Sequence, residues 1–276
     1  MATVLQAASR EAMAAALGRL NAYVDSADAR ALTTLGDELF AFTRLVAGER
    51  ALRRILADPS TPESARAGLA EQVLGGQLSE SALDFVKLLV TSRWSQASDL
   101  VGATETLARQ ATLAVAEKNG KLDDVEDELF RFGRILDREP ELNTLLSDAS
   151  TPADGRITLL DQVIGKRVSP VAASLLRQTV RLPRSRHLDV VAEELAEMAA
   201  ERRDRSVARV TTPIALTRVQ EQKLTDSLGR LYGRPISLQV ELDERLLGGL
   251  VVQVGGEVID GSVAGKLAAA RRTLPS

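Results

Sequence analysis

Cysteine is absent from the chain. That excludes disulfides, thiol catalysis and cysteine-ligated zinc, and it fits a reducing compartment. Histidine occurs once, at His187, so neither a multi-histidine metal site nor a serine-type triad can be assembled; beside Arg184 and Arg186 it reads as a solvated side chain. Aromatic residues make up only 3%, so the core must be built from Leu, Val, Ile and Ala, and large ring-lined pockets are not expected. There is no basic excess: 35 Lys and Arg face 38 Asp and Glu, a net charge of -3, which argues against a nucleic-acid partner. No apolar run approaches the roughly 18 residues needed to span a bilayer, and MATVLQAASREAM lacks the basic and apolar regions of a secretion signal. A cytoplasmic protein is expected. DDVEDE at 123–128 lacks the spacing and glycine of a calcium loop and reads as a charged first helical turn. No acid, base and nucleophile converge, so no catalytic residue, metal or cofactor is expected.

What the chain does have is glycine near its end, in LLGGLVVQVGGEVIDGSVAGKL, residues 246–267. A phosphate loop needs GxxxxGK followed by Ser or Thr. Here Asp260 stands where the first glycine should, and Leu267 follows Lys266, so the motif fails at both ends. Gly248-Gly249 and Gly255-Gly256 are adjacent pairs, which lack the spacing of a dinucleotide turn.

A repeat organises the rest. ELFAFTRLVAGERALRRILADPSTPESARAGLAEQVLG, residues 38–75, matches ELFRFGRILDREPELNTLLSDASTPADGRITLLDQVIG, residues 128–165, at 17 of 38 positions without a gap and at a constant offset of 90. That is beyond chance, so two copies of one unit are expected at 1–104 and 105–205. Apolar residues recur every three or four positions, as in helices: Leu39, Phe42, Leu45 and Val46 in one copy, Leu129, Phe132, Ile135 and Leu136 in the other. STP at 60–62 and 150–152 is a helix start, with a hydroxyl residue at the N-cap and proline in the first turn. Each copy reads as a bundle of five or six short helices. Trp94 is expected to pack inside, and ERRDRSVAR at 201–209 reads as a solvated helix end and hinge.

Past residue 205 the period changes. In ISLQVEL, 236–242, apolar Ile236, Leu238, Val240 and Leu242 alternate with polar residues, as in a half-buried strand. VARVTTPI, 207–214, is a second strand. Between them lies a helix opened by a capping box, Thr217 with Gln220, its apolar stripe formed by Val219, Leu224, Leu228 and Leu231. LVVQV and EVID are two more strands joined by a turn at Gly255-Gly256, and Asp260 or Ser262 caps a last helix through VAGKLAAARRTL. The fold class is mainly α: two duplicated helical bundles followed by a small C-terminal α/β module at 206–276.

VELDERLLGGLVVQVGGEVIDGSVAGKLAAARRTL resembles the C-terminal signature of the delta subunit of bacterial F-type ATP synthases, the oligomycin-sensitivity-conferring protein family. The matching elements are Asp243, Leu246 or Leu247, Gly248, Gly249, Val252, Val254, then Ile259, Asp260, Gly261 and Ser262. Residues 105–276 cover a usual-length member, and the extra N-terminal copy resembles long actinobacterial forms. The resemblance implies a non-catalytic stator subunit, one copy per complex, on the cytoplasmic face of the bacterial membrane and held there only through the complex. It implies two partners. The N-terminal helices of the alpha subunits would enter a groove between the first and fifth helices of the second copy, at Leu107, Leu113, Leu175, Leu176 and Val180. The far end of the b subunit would meet Leu247, Leu250 and Val252. Such a part couples rotation to ATP synthesis by holding the catalytic head still, through apolar grooves that accept amphipathic helices. Without the tail signature, the doubled bundle would read as a repeat scaffold that binds amphipathic peptides.

Overall fold

The computed structural model describes residues 5–165, 167–184, 186–205, 207–232, 236–243, 245–254 and 257–263. Among them are twelve helices: α1 Ala7–Ser26, α2 Ala29–Gly48, α3 Arg50–Ala57, α4 Glu63–Leu74, α5 Glu80–Thr91, α6 Ala97–Lys118, α7 Leu122–Arg138, α8 Pro140–Ser147, α9 Ala153–Ile164, α10 Pro170–Arg181, α11 Leu188–Arg205 and α12 Arg218–Tyr232. Four strands follow the helical region: β1 Val207–Thr212, β2 Ser237–Leu242, β3 Val251–Val254 and β4 Glu257–Asp260. The chain divides into two compact units, one ending at Ala199 and the other beginning at Ala200.

The first unit is the repeat made physical. Helix starts recur 90 positions apart, at Ala7 and Ala97, Arg50 and Pro140, Glu63 and Ala153, Glu80 and Pro170. Each copy therefore has six helices, α1–α6 and α6–α11, and α6 belongs to both. The expected boundary at 104/105 falls inside it. Because α6 closes one bundle and opens the next, it cannot keep a solvent face: Leu100, Leu107, Leu113, Ala103, Ala108, Ala111 and Ala114 are all fully buried, and one core runs from Ala12 to Ala199. Small residues let helices approach α6 closely. A Cβ on Gly36 of α2 would stand 2.7 Å from Thr112 Oγ1.

Local joints are duplicated with the helices. The α5 and α10 N-caps are Ser79 and Ser169, and their backbone N–H groups donate to Glu38 on α2 (3.0 Å) and Glu128 on α7 (2.8 Å). Arg66 and Arg156, 2% and 4% exposed, each use Nη1 to bond the carbonyl that ends the fifth helix, Val90 or Val180, and Nε to reach Thr61 or Thr151 at 3.1 Å. A cation at a helix C-terminus satisfies orphan carbonyls and complements the dipole, which explains arginines inside an apolar bundle.

Three expectations change. Pro62 and Pro152 stand at the N-cap rather than in the first turn, because Asp58 and Asp148 hold Ser60 and Ser150 in a preceding turn at 2.8 and 2.9 Å. Ile135 is 46% exposed, while Leu129, Phe132 and Leu136 are buried; it lies at the rim of the inward arc. Arg202, expected on a solvated helix end, is 4% exposed. Trp94 does pack inside, its Nε1–H donating to Leu89 O at 2.8 Å, and His187 is exposed.

The second unit is a four-stranded sheet in the order β2-β1-β3-β4. β1 pairs parallel with β2, Val210 opposite Val240, and antiparallel with β3, Val210 opposite Val252; β3 pairs antiparallel with β4. Ala208, Val210, Val252 and Val254 form its core with Ile236 and Leu228, so the two-residue period reads the buried face correctly. The exception is Leu242 at the strand end, 62% exposed. The capping box closes as its spacing predicts, Thr217 N–H to Gln220 Oε1 at 2.8 Å and Gln220 N–H to Thr217 Oγ1 at 3.3 Å. On α12 Leu224, Leu228 and Tyr232 pack on the sheet core, whereas Val219 and Leu231 are 64% and 65% exposed. The turn at Gly255-Gly256 and the helix expected beyond Val263 lie outside the described residues.

The Gly248-Gly249 pair is needed where it stands. Gly249 has φ +80, and a Cβ there would meet Gly261 O at 2.5 Å and Ser262 Cα at 2.9 Å. That approach lets Gly261 N–H reach Leu250 O and Val263 N–H reach Gly248 O, both at 3.0 Å. Gly249→Val is expected to destabilise the sheet unit by about 3 kcal/mol or more, through left-handed backbone strain plus a backbone clash. Hydrogen exchange should show protection at Val252 and Val254 lost, with amides of α6 unchanged; retained protection at Val252 would contradict the account.

Candidate functional site

Positions on α1 spaced by four, Ala15, Arg19 and Tyr23, face positions on α5 spaced by three and four, Ser81, Asp84, Phe85 and Leu88. Together they line an open recess of about 370 Å³. Tyr23 and Phe85 meet edge to face, ring centroids 5.9 Å apart at 81°. The floor is aromatic and the rim polar, with Arg19 and Asp84 exposed on opposite walls. A recess of this kind between two helices takes the apolar side of a third.

The same positions in the second copy, shifted by 90, are Glu105, Arg109 and Leu113 on α6 with Val171, Ser174, Leu175 and Gln178 on α10. This seam is shut. Leu113 and Leu175, the counterparts of Tyr23 and Phe85, are 0% and 1% exposed, and Leu107, Leu176 and Val180 are at most 1% exposed. All five expected groove residues are thus core packing beneath the seam. Over it lies α2, whose Arg44 Nη1 donates to Gln178 Oε1 at 2.7 Å.

An ion cluster closes the other end. The Glu105 carboxylate, 8% exposed, accepts from Arg109 Nη2, Arg184 Nη1 and Arg186 Nη2, the last at 2.9 Å; Arg186 Nη1 also donates to Glu194 at 2.8 Å. Burial alone would push the Glu105 carboxyl up, but Arg109, Arg186 and Arg184 outweigh it and hold it below the ordinary carboxylate range. Arg184 adopts φ +50 to take part, a conformation that L side chains rarely adopt. The first copy cannot build this cluster, since Ala15, Trp94, Gln96 and Thr104 occupy the places of Glu105, Arg184, Arg186 and Glu194. Ionic partners 79 and 81 positions apart leave no periodic trace. The available signal was a Glu and an Arg four apart in a helix otherwise of Ala, Leu and Thr, beside a cationic pair in the copy where its twin has Trp94 and Gln96.

In the sheet unit the signature residues shape a loop. Asp243 takes Arg245 N–H and Nε at 3.0 and 2.9 Å, while Asp243 N–H bonds Thr212 O at 3.0 Å. Asp260 accepts from Ser262 N–H at 2.9 Å. Arg245 and Ser262 hold the two carboxyls below their usual range, through hydrogen bonds to the charged form. Of the three expected contact residues, Leu247 projects at 82% exposure, Leu250 is half-buried, and Val252 is a core residue at 2%. Ile259 stands at 36%. Among the described residues no helix is long and apolar enough to cross a membrane, and no cluster of His, Asp and Glu has the arrangement of a metal site.

The cluster predicts a pH dependence. Glu105→Ala leaves Arg109 buried without its anion and is expected to cost about 3–5 kcal/mol at neutral pH. Because the folded carboxyl titrates below its unfolded value, the contribution is complete above about pH 5 and is lost as pH falls through the folded value. Urea unfolding of wild type and variant should therefore differ most near pH 7 and converge in acid; a gap that widened on acidification would refute the assignment.

Comparison with known proteins gives the same two-copy outline. The family model "ATP synthase delta (OSCP) subunit" matches twice, over residues 21–112 and 108–274, the two segments overlapping within α6. The chain is 46% identical over 272 residues to ATP synthase subunit delta of Streptomyces coelicolor, covering 99% of each. It is 45% identical over 271 residues to ATP synthase subunit b-delta of Mycobacterium sp. (strain KMS), covering 98% of this chain but 61% of that protein's length. A chain of the solved Toxoplasma gondii mitochondrial ATP synthase hexamer is 19% identical over 62% of this chain and 98% of its own, at a TM-score of 0.33. By the family model and the Streptomyces relative, this chain belongs to the ATP synthase delta (OSCP) subunit family.

Proposed function

We propose that the chain is a peripheral-stalk subunit of a proton-translocating F-type ATP synthase, linking the catalytic head to the membrane-anchored b subunit. The observation that supports this most is the double family match, one segment per helical copy, the second continuing through the sheet unit. The work is mechanical. A stator must resist torque between two attachment points, which asks for densely packed elements rather than reacting groups. A core continuous from Ala12 to Ala199 suits that demand. The chain acts at the cytoplasmic face of the bacterial membrane, one copy per complex and without a cofactor, and reaches the membrane only through its partners.

The alpha-subunit N-terminal helices dock in the α1/α5 recess. Of the two equivalent seams it is the open one, so the head-binding groove moves from the second copy, where Leu107, Leu113, Leu175, Leu176 and Val180 are packed away, to the first. Tyr23, Phe85 and Leu88 are the apolar anchors there, with Arg19 and Asp84 setting orientation. The b subunit meets the Leu247 loop, with Leu250 at its base. The name of the Mycobacterium relative joins b and delta in one chain, which fits a close b contact.

Binding of the full chain to an alpha N-terminal peptide and to a soluble b coiled coil tests both ends separately. Leu88→Glu is expected to weaken the peptide about tenfold or more and to spare b; Leu247→Asp should do the reverse. Unchanged peptide affinity in Leu88→Glu would remove the recess from the reading. Failure of wild type to bind either partner would overturn the stator function itself.

A further inference from the structure

The outward face of α7 has a twin whose fate is visible. On α2, Phe40 and Leu45 flank a row formed by Asp37, Ala41, Arg44 and Gly48; on α7 the same places carry Phe130 and Ile135 flanking Asp127, Arg131, Arg134 and Arg138. On α2, Phe40 is 5% exposed, Leu45 is half-buried against the core and Arg44 reaches Gln178 on α10, while Asp37, Ala41 and Gly48 stay exposed. None of the described residues covers the corresponding α7 side chains, with Phe130 54% and Ile135 46% exposed. A shallow recess of about 350 Å³ opens between Arg131, Arg134, Ile135 and Arg138.

Phe130 and Ile135 thus stand exposed in the twin positions of two residues that pack, Phe40 and Leu45. The charges differ in an informative way. Ala41 and Gly48 of α2, themselves exposed, correspond to Arg131 and Arg138 of α7, so the α7 row carries two cations that its twin lacks. Arg131 pairs with Asp127 and Arg134 with Asp137, at side-chain exposures of 45–73%. Exposed pairs of this sort contribute little and exchange readily for a better anion.

We propose that the α7 face is a second docking surface, independent of the α1/α5 recess, and that its occupant is an acidic amphipathic helix of a partner chain. Apolar side chains of that helix sit on Phe130 and Ile135, and its carboxylates meet Arg131, Arg134 and Arg138 in the geometry that guanidinium favours. The helix takes the place that α10 occupies beside Arg44 of α2.

The probe is a synthetic helix of about five turns, its contact face carrying Glu along the centre with Leu on either side, titrated into the full chain by fluorescence anisotropy. Binding should weaken between about 50 and 300 mM salt. Phe130→Ser with Ile135→Ser should weaken it about tenfold or more, as should Arg131→Glu with Arg134→Glu and Arg138→Glu. A Lys-for-Glu peptide should prefer the charge-reversed chain. Leu88→Glu, which disables the other recess, should leave the peptide's affinity unchanged. The altered α7 side chains are all exposed, so melting temperatures of those variants should stay within a few degrees of wild type. Absence of binding, binding indifferent to the α7 substitutions, or loss through Leu88→Glu would overturn the proposal. Sedimentation supplies another adverse outcome: concentration-dependent self-association of wild type, lost with Phe130→Ser, would make the occupant a second copy.

Discussion

Helix α6 must satisfy two sets of neighbours at once. A helix at a bundle's edge needs one apolar stripe, whereas one that completes a first bundle while starting a second is surrounded. The result is a 22-residue helix with buried positions on every side, and it constrains everything attached to it. Small residues are required wherever a neighbour closes in, as Ala108 and Thr112 meet Gly36. Polar residues are admitted only with partners: Asp99 receives Ser9 Oγ–H at 2.7 Å, and Glu105 is matched by three arginines. Burying a charge is costly unless it is paired and hydrogen-bonded.

Duplication followed by divergence explains why equivalent seams differ. The α1/α5 pair kept small and aromatic residues and stayed open, with solvent on its far side. The α6/α10 pair, overlaid by α2, had to be filled and received Leu113, Leu175 and an ionic lid. The divergence centres on alanine at 15 against glutamate at 105, joined by Trp94, Gln96 and Thr104 against Arg184, Arg186 and Glu194. The lid residues come from α6, from the segment after α10 and from α11, so closing the seam also ties the last helix of the second copy to its first.

Much of this was legible in residue order. The 90-residue offset, the helical period and the change to a two-residue period after 205 fix the number of copies and the class of the tail, because each reflects a local rule. Thr217 and Gln220 form their capping box since both partners lie within one turn. Burial by the other copy was not legible. Ile135 and Leu45 each stand between an arginine and an aliphatic residue, yet only Leu45 packs against the core, and nothing in either stretch records what covers it. Leu113, expected in the groove, is fully buried for that reason: its twin Tyr23 is only partly so, and Leu113 lies in the copy whose seam is taken. In the sheet, Val252 shares the Gly-rich signature with Leu247, but a β3 side chain on the face packed with α12 is core, whereas one in the loop before it is not.

Sharing one helix between successive bundles also sets an arithmetic of growth. Two six-helix copies account for eleven helices rather than twelve, so a third would add only five, and no flexible joint would be created by the addition. Lengthening a subunit in this way extends its reach without introducing a compliant linker that would absorb strain. For a part proposed to transmit force, the spliced helix is what lets extra length come free of slack.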